Sequence, residues 1–388
     1  MRKNKLKKAN KTALIVTLLA PILWLSCESS FTFQIPEQTK DGWQTASIDD
    51  VGIKKSILGE LMNSIHRNEY QNIHSLLIVK NDKLVFEEYF DGYQWDPEFD
   101  QFRGKYTKFN RETKQNIMSV AKAFTSALIG IAIDHGFIQS VDENIFSFFP
   151  EYTYLKNERK DNISLEHLLT MTSGLQWNEW DVSILDERND IRQLFIVSDP
   201  INYILAKPVV HDPGTYWYYS GGDVTLLGEA IRKASDLRID DFAEQYLFKP
   251  LGIEDYEWET LNSDIIHASG HLHLSPRNMA KLGYVFLNNG VWNNKRIISE
   301  DWVKKTTSEY ISIPDRAWEG EKFGYQWWLK TYTVNSVSVK AITRSGWGGQ
   351  AIILLPKLDM IIVFTGGNYI TKDPVNEIVS QYIIPSVS

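Results

Sequence analysis

Between Asn116 and Gly136 a short polar lead-in, Asn116-Ile-Met-Ser119-Val-Ala-Lys122, runs into residues that are almost all apolar or small. Because the apolar residues fall on every side and not along one stripe, the segment reads as a helix surrounded by protein. His135-Gly136 is its C-terminal stop. A helix this apolar belongs in a core, so the remaining chain must enclose it. With 388 residues, 43% hydrophobic and 23% charged, the chain is long and apolar enough, and disorder is excluded. That length accommodates two or three domains, or equally one enzyme domain with a large insertion.

Ser119 and Lys122 are three residues apart on this helix, which puts both side chains on one face with Cβ atoms roughly 5–6 Å apart. The amine can reach the hydroxyl. Burial disfavours a charged amine, and the positive end of the helix dipole favours an anion developing at Ser119. Ser119 is therefore a candidate nucleophile and Lys122 its activator. The bland alternative is a serine at a helix start and a lysine extending to the surface. S-x-x-K occurs once in the chain, and in the context the chemistry needs.

The first eleven residues carry six basic and no acidic side chains, and Ala13 to Leu25 are apolar apart from Thr17 and Pro21. This is short for a membrane span and right for a signal peptide, so export from a bacterial cytoplasm is expected. Cys27 is the only cysteine, which precludes an internal disulfide. It follows Leu23-Trp-Leu-Ser26 and resembles a bacterial lipobox, with Trp24 where leucine is usual. The expectation is a lipid anchor on Cys27, holding the protein to a cell-envelope membrane, periplasm-facing or outer. Cleavage nearby to release a soluble protein is the alternative. A net charge of −8 with no basic patch beyond the leader argues against a nucleic-acid partner.

The organisation follows in order: residues 1–27 are the leader with its cysteine, 28–46 a Ser/Thr/Gln-rich tether, and 47–388 one catalytic domain. A helix is expected from Ile48 to about Asn68. A hairpin follows, with His74–Val79 and Lys83–Phe90 joined at Asn81-Asp82. The charged residues 91–113 read as a loop. Helical signals dominate from Ser119 to about 254, including Ile163–Gly174 with its Ser164 cap and Val224–Ala234. Val334–Ile342, Gln350–Leu355 and Met360–Thr365 read as strands, and Pro374–Ile383 as a closing helix. Strands near both ends with helices between imply an α+β fold: a mainly antiparallel sheet flanked by helices, with an inserted all-helical region.

Downstream lies Asp212-Pro-Gly-Thr-Tyr-Trp-Tyr-Tyr219-Ser-Gly-Gly-Asp-Val, a loop entering an apolar helix. Together with Ser119-x-x-Lys122, Tyr219-Ser-Gly221 resembles the motif pair of the serine β-lactamase-like and penicillin-binding-protein-like superfamily, on its class C side. Leu168–Leu175, Ser275–Gly283 and Phe323–Trp328 are further landmarks in the family's order. The third motif, usually K-T-G or H-x-G, is assigned to Trp347-Gly348-Gly349. The resemblance covers Ile48 to the C-terminus and implies a β-lactamase/transpeptidase-like fold. It implies that Tyr219 and Lys122 act as a coupled base on Ser119, and that the N–H groups of Ser119 and Gln350 form the oxyanion hole. Trp347, Gly348, Gly349 and Gln350 are thus the expected substrate-binding and oxyanion residues. Taken alone, Tyr219 is equally a core aromatic and Gly348-Gly349 a turn.

Two departures bear on substrate. Gly221 stands where the family has an asparagine that contacts a β-lactam amide, and Trp347 where it has a lysine for the carboxylate. Arg344 is the nearest alternative cation, but on a regular strand it points away from 345, 347 and 349, so a bulge is needed. Hence a small-molecule or short-peptide acyl substrate is expected, by preference a small ester or amide. The alternatives are a β-lactamase or D-Ala-D-Ala carboxypeptidase, and a non-catalytic binding or sensing lipoprotein. No G-x-S-x-G elbow, H-E-x-x-H motif or phosphate-binding glycine loop occurs, so neither cofactor nor metal is expected. Only His267, His271 and His273 approach ligand spacing, and they read as structural or solvated. Asp223 reads as a helix-start carboxylate. The oligomeric state is left open.

Overall fold

The computed structural model describes residues 31–313 and 321–387. Among them the main sheet orders its strands Gln44–Thr45, Lys83–Tyr89, Ile73–Lys80, Met360–Gly366, Gln350–Leu355, Val337–Gly346, Trp328–Val334, Lys322–Phe323 and Ile311–Ser312. Every pairing is antiparallel except the first, which is parallel. The fold is α+β, with helices on both faces of this sheet and a helical region between its N- and C-terminal strands.

The central strands are apolar without interruption because both of their faces are covered. Leu76, Ile78, Ile353, Ile362 and Phe364 face the helix Lys55–His66 and the C-terminal helical run. The alternate residues Leu77, Val79, Ile352, Leu354 and Val363 join the larger core around Ala121–Asp134. That helix is buried along Ala121–Ala132 and stops at Gly136, whose φ of 76° supplies the left-handed turn. Gly130 has a specific reason: a Cβ there would lie 2.4 Å from the Trp302 ring. Packed beside it is the helix Gly221–Ser235, capped by Ser220, whose hydroxyl accepts the Asp223 N–H.

The hairpin at Asn81-Asp82 forms as expected, with both residues left-handed at φ 50° and 62°. Elsewhere the boundaries move for local reasons. The first helix begins at Lys55, since Gly52 at φ 74° ends a short turn ahead of it. Ile163–Gly174 is helical only over Leu165–Leu169. Val334–Ile342 is not one strand throughout: Asn335 and Ser336 are both left-handed and turn the chain between Trp328–Val334 and Val337–Gly346, so the strand begins at Val337. Residues 91–113, expected as a loop, contain the hairpin Asp91–Trp95 with Arg103–Lys108, whose largely exposed faces left no apolar alternation to read.

The expected tether is also corrected. Leader and Cys27 lie outside the described residues, but from Phe31 onward the chain packs on the domain. Trp43 is 1% exposed and edge-on to Trp292 and Tyr284, and Gln44–Thr45 joins the sheet. Arg277 clamps this segment: it donates to Asp41 at 2.8 Å, to Thr39 at 3.0 Å and to the Glu37 carbonyl at 3.0 Å, while also pairing with Glu87. Arg277 and Glu87 side chains are only 4% and 9% exposed. Removing one partner of a buried pair leaves an uncompensated charge, so Arg277→Ala should lower the unfolding free energy by about 3–5 kcal/mol in urea melts. A loss below about 1 kcal/mol would show that the clamp carries no weight.

Candidate active site

Ser119 sits in a 3-10 turn, Met118–Val120, that feeds directly into Ala121–Asp134. Met118 has φ 49°, a conformation that costs a non-glycine residue about 1–3 kcal/mol, and the Asn116 side chain accepts its N–H at 2.9 Å. This strained turn projects Ser119 into a cleft, while the helix behind it is tied down by Thr125 and Ser126 donating to the Ala268 and Tyr325 carbonyls.

One turn on, Lys122 is 1% exposed and its Nζ donates to Ser119 Oγ at 2.9 Å and to the Ser269 carbonyl at 2.7 Å. The same Nζ lies 4.9 Å from the centroid of the Tyr219 ring. The fully buried Arg344 donates to the Tyr219 hydroxyl at 3.1 Å, to the Ser119 carbonyl at 2.8 Å and to the Gln326 carbonyl at 2.9 Å. Tyr219 thus has the Arg344 guanidinium on its hydroxyl and the Lys122 amine against its ring, and both of these side chains also bond Ser119.

The strand carrying Arg344 is regular: Ile342–Gly346 pairs without interruption with Leu354–Gln350, Ser345 and Trp347 line the cleft, and Arg344, on the other face as alternation requires, bonds Tyr219. The residue pressed against the serine turn is Gly346, where a Cβ would lie 2.7 Å from the Ile117 oxygen and 3.0 Å from the Ser119 nitrogen. Close approach therefore requires glycine at 346. Gln350, whose backbone N–H is the expected oxyanion donor, is 1% exposed and pairs across the strands with Gly346, and its side-chain amide donates to the Gly366 carbonyl. The Ser119 nitrogen and Trp347, the residue after Gly346, border this close approach. Gly348 and Gly349, at φ 88° and 90°, form a turn over Tyr369, whose ring would be 2.3 Å from a Cβ on Gly348.

The cleft above Ser119 encloses about 770 Å³. Trp180, Tyr216, Trp217, Tyr218, Trp328 and Trp347 give it aromatic walls, while Asn368, Thr371, Lys372 and Asp373 form a polar rim. Trp327, the sequence neighbour of Trp328, is fully buried against Phe286 and does not line the cleft. Trp347 is held by its Nε1–H donating to the Tyr369 carbonyl at 2.9 Å and by edge-on contacts with Phe102 and Tyr369. Phe102 and Trp180 belong to segments with no recognisable motif, which is why sequence did not single them out.

His267 is buried near Lys122, and burial, with the charges of His271 and Lys122, holds it well below the ordinary histidine range. Its Nε2 bonds Ser269 Oγ at 2.9 Å, whereas His271 and His273 turn to Glu259 at 2.9 Å and 2.6 Å. The trio thus splits between partners, and among the described residues no three such side chains are grouped to hold a metal. Asp223 is pushed up to about 7 by burial, against hydrogen bonds from Ser173 and Ser220 that lower it.

The chain is similar to several known proteins in sequence or in fold. The acyltransferase mokF of Monascus pilosus is 26% identical over 157 residues, 37% of this chain and 38% of that protein, so the match spans little more than a third of that relative's length. A penicillin-binding protein homologue from Caulobacter crescentus shares the fold at a TM-score of 0.65 and 16% identity, covering 86% of this chain and 99% of that one. A family VIII carboxylesterase does so at 0.64 and 16%, covering 84% and 96%. The beta-lactamase family model matches residues 73–374, most of the chain, and the protein is therefore a member of the beta-lactamase family.

Proposed function

We propose that this family member hydrolyses a small ester or amide through an acyl-enzyme on Ser119. The observation that carries the reading is the 2.9 Å contact between Lys122 Nζ and Ser119 Oγ, beside a tyrosine flanked by Lys122 and Arg344. Ser119 Oγ attacks the acyl carbon while its proton passes to the Lys122–Tyr219 pair. The oxyanion accepts from the N–H groups of Ser119 and Trp347, each such donor being worth about 2.7–4 kcal/mol in enzymes generally. The pair then protonates the leaving alcohol or amine, and the acyl-serine ester is cleaved by a water that the same pair deprotonates. Consistent with this class are the names of relatives, an acyltransferase and a carboxylesterase.

Ser119→Ala and Lys122→Ala should each abolish most turnover, and Tyr219→Phe should lower kcat on the order of 100-fold, as for loss of a general base. A fluorophosphonate probe should label wild type and not Ser119→Ala. Absence of labelling and of turnover across a broad acyl panel would favour a binding or sensing protein.

A neutral substrate is favoured over one with an obligatory carboxylate. A carboxylate in a partly dry cleft needs a charged partner, a hydrogen bond to a charged group contributing roughly 1.5–3 kcal/mol. The Trp347 donor is committed to Tyr369, Arg344 lies beneath the floor, and Lys372 stands at the exposed rim. The aromatic walls suit an acyl or alkyl group. Side-by-side kcat/KM for p-nitrophenyl butyrate, nitrocefin and a D-Ala-D-Ala peptide should favour the ester. A tenfold excess for either of the others, about 1.4 kcal/mol in transition-state binding, would overturn the assignment.

For location, we propose export and anchoring through acylated Cys27, with more than one acyl chain because a single chain binds membranes only marginally. Cys27→Ala should move the protein to the soluble fraction and stop incorporation of labelled fatty acid. A wild-type protein already soluble, with its N-terminus beyond Cys27, would refute the anchor.

A further inference from the structure

The departure at Gly221 has a physical counterpart in the loop that brings Trp180 to the cleft. A Cβ on Gly221 would lie 2.4 Å from Ile191 Cδ1, 3.0 Å from Glu179 Oε2 and 3.0 Å from Ser269 Oγ, so the space of a side chain is already occupied. Glu179 Oε2 accepts the Gly221 N–H at 2.7 Å and the Trp177 indole N–H at 3.0 Å. Its backbone is equally fixed: Asn189, fully buried, donates to the Glu179 and Val182 carbonyls at 3.0 Å and 3.2 Å. Trp177, 3% exposed, packs so closely on Gly222 that a Cβ there would lie 2.7 Å from its ring.

We infer that Glu179 is a positioning residue for the reaction: by bonding the Gly221 N–H it sets the segment Tyr219-Ser-Gly221, and with it the Tyr219 hydroxyl between Lys122 and Arg344. Two contacts act together on that segment. Glu179 holds the backbone two residues after Tyr219, while the next residue of the loop, Trp180, lies edge-on to the Tyr219 ring at 5.3 Å. Trp328 stacks near-parallel to the same ring at 6.3 Å, so the phenol has little freedom once the backbone is set. A carboxylate is suited to this task because a charged acceptor binds a helix-initiating N–H more strongly than a neutral one and complements the positive end of the helix dipole. The glycine is part of the same device, since only a residue without Cβ leaves the carboxylate its place.

This inference rests on the acyl-serine reading for its kinetic test but not for its structural one. In crystal structures of wild type and Glu179→Ala, the variant should separate Arg344 Nη2 from Tyr219 Oη beyond hydrogen-bond distance. An unchanged contact would overturn the proposal whether or not the protein turns over substrate. For kinetics, p-nitrophenyl butyrate turnover is normalised to sites titrated by fluorophosphonate, so that unfolded protein does not count. Glu179→Ala should lower kcat at least tenfold with KM within about threefold, the pattern of a misplaced catalytic group. Glu179→Gln keeps an oxygen acceptor and should recover most of that loss. Unchanged kcat per titrated site in Glu179→Ala would refute the role, and an equal loss in Glu179→Gln would refute the hydrogen bond as its basis. Gly221→Ala, which displaces the carboxylate from the other side, should reproduce the Glu179→Ala phenotype, and full activity in it would count against the inference.

Discussion

Two buried basic side chains set the terms for this site. Lys122 and Arg344 are 1% and 0% exposed, and removing such polar groups from water is costly unless hydrogen bonds replace the lost hydration. The replacement comes from distant parts of the chain: the Ser119 hydroxyl and carbonyl, the Ser269 and Gln326 carbonyls and the Tyr219 phenol. The helix, the sheet and the loop after residue 252 must all be in place before both groups are satisfied. Folding and assembly of the proposed catalytic group are therefore one event, with the Tyr219 phenol in contact with both side chains.

A second constraint is the close approach of strand to turn. Gly346 abuts the backbone of Ile117 and Ser119, and Met118 takes a left-handed conformation to let the turn fit. Strain of this kind persists where surrounding structure over-determines it. Here it holds the Ser119 backbone against the strand that runs on into Trp347, and fixed backbone of this kind is the preorganisation an oxyanion requires.

Around this frame the chain substitutes materials. Arg344 takes a buried place next to the tyrosine, Gly221 leaves its volume to Glu179, and Trp347 contributes an apolar face whose donor is already used. Each change removes a polar group that could reach into the cleft or binds it inward. The result is a cavity whose walls are aromatic and whose charges lie at the floor and the rim.

Sequence by itself determined the parts governed by local pattern. The all-round apolar run marked the buried helix, S-x-x-K placed an amine within reach of a hydroxyl, the Asn-Asp turn and β-branched runs marked the central strands, and the motif order identified the family. These are signals of period, spacing and turn chemistry, carried by neighbours in the chain. Tertiary structure alone decided the rest. Which glycine meets the serine turn depends on strand register, and the register puts Gly346 there and Gln350 behind it. Arg344 lies on the face opposite to Ser345 and Trp347, as alternation requires, yet that face is where Tyr219 arrives from 125 residues away in sequence. The segment after Phe31 read as a tether because its packing partners, Arg277, Tyr284 and Trp292, are remote in the chain. Glu179 carries no motif, and its place beside Gly221 follows from two loops meeting in space. Long-range contacts of this kind leave no periodic trace, because nothing in the local order of residues records which distant surface will cover them.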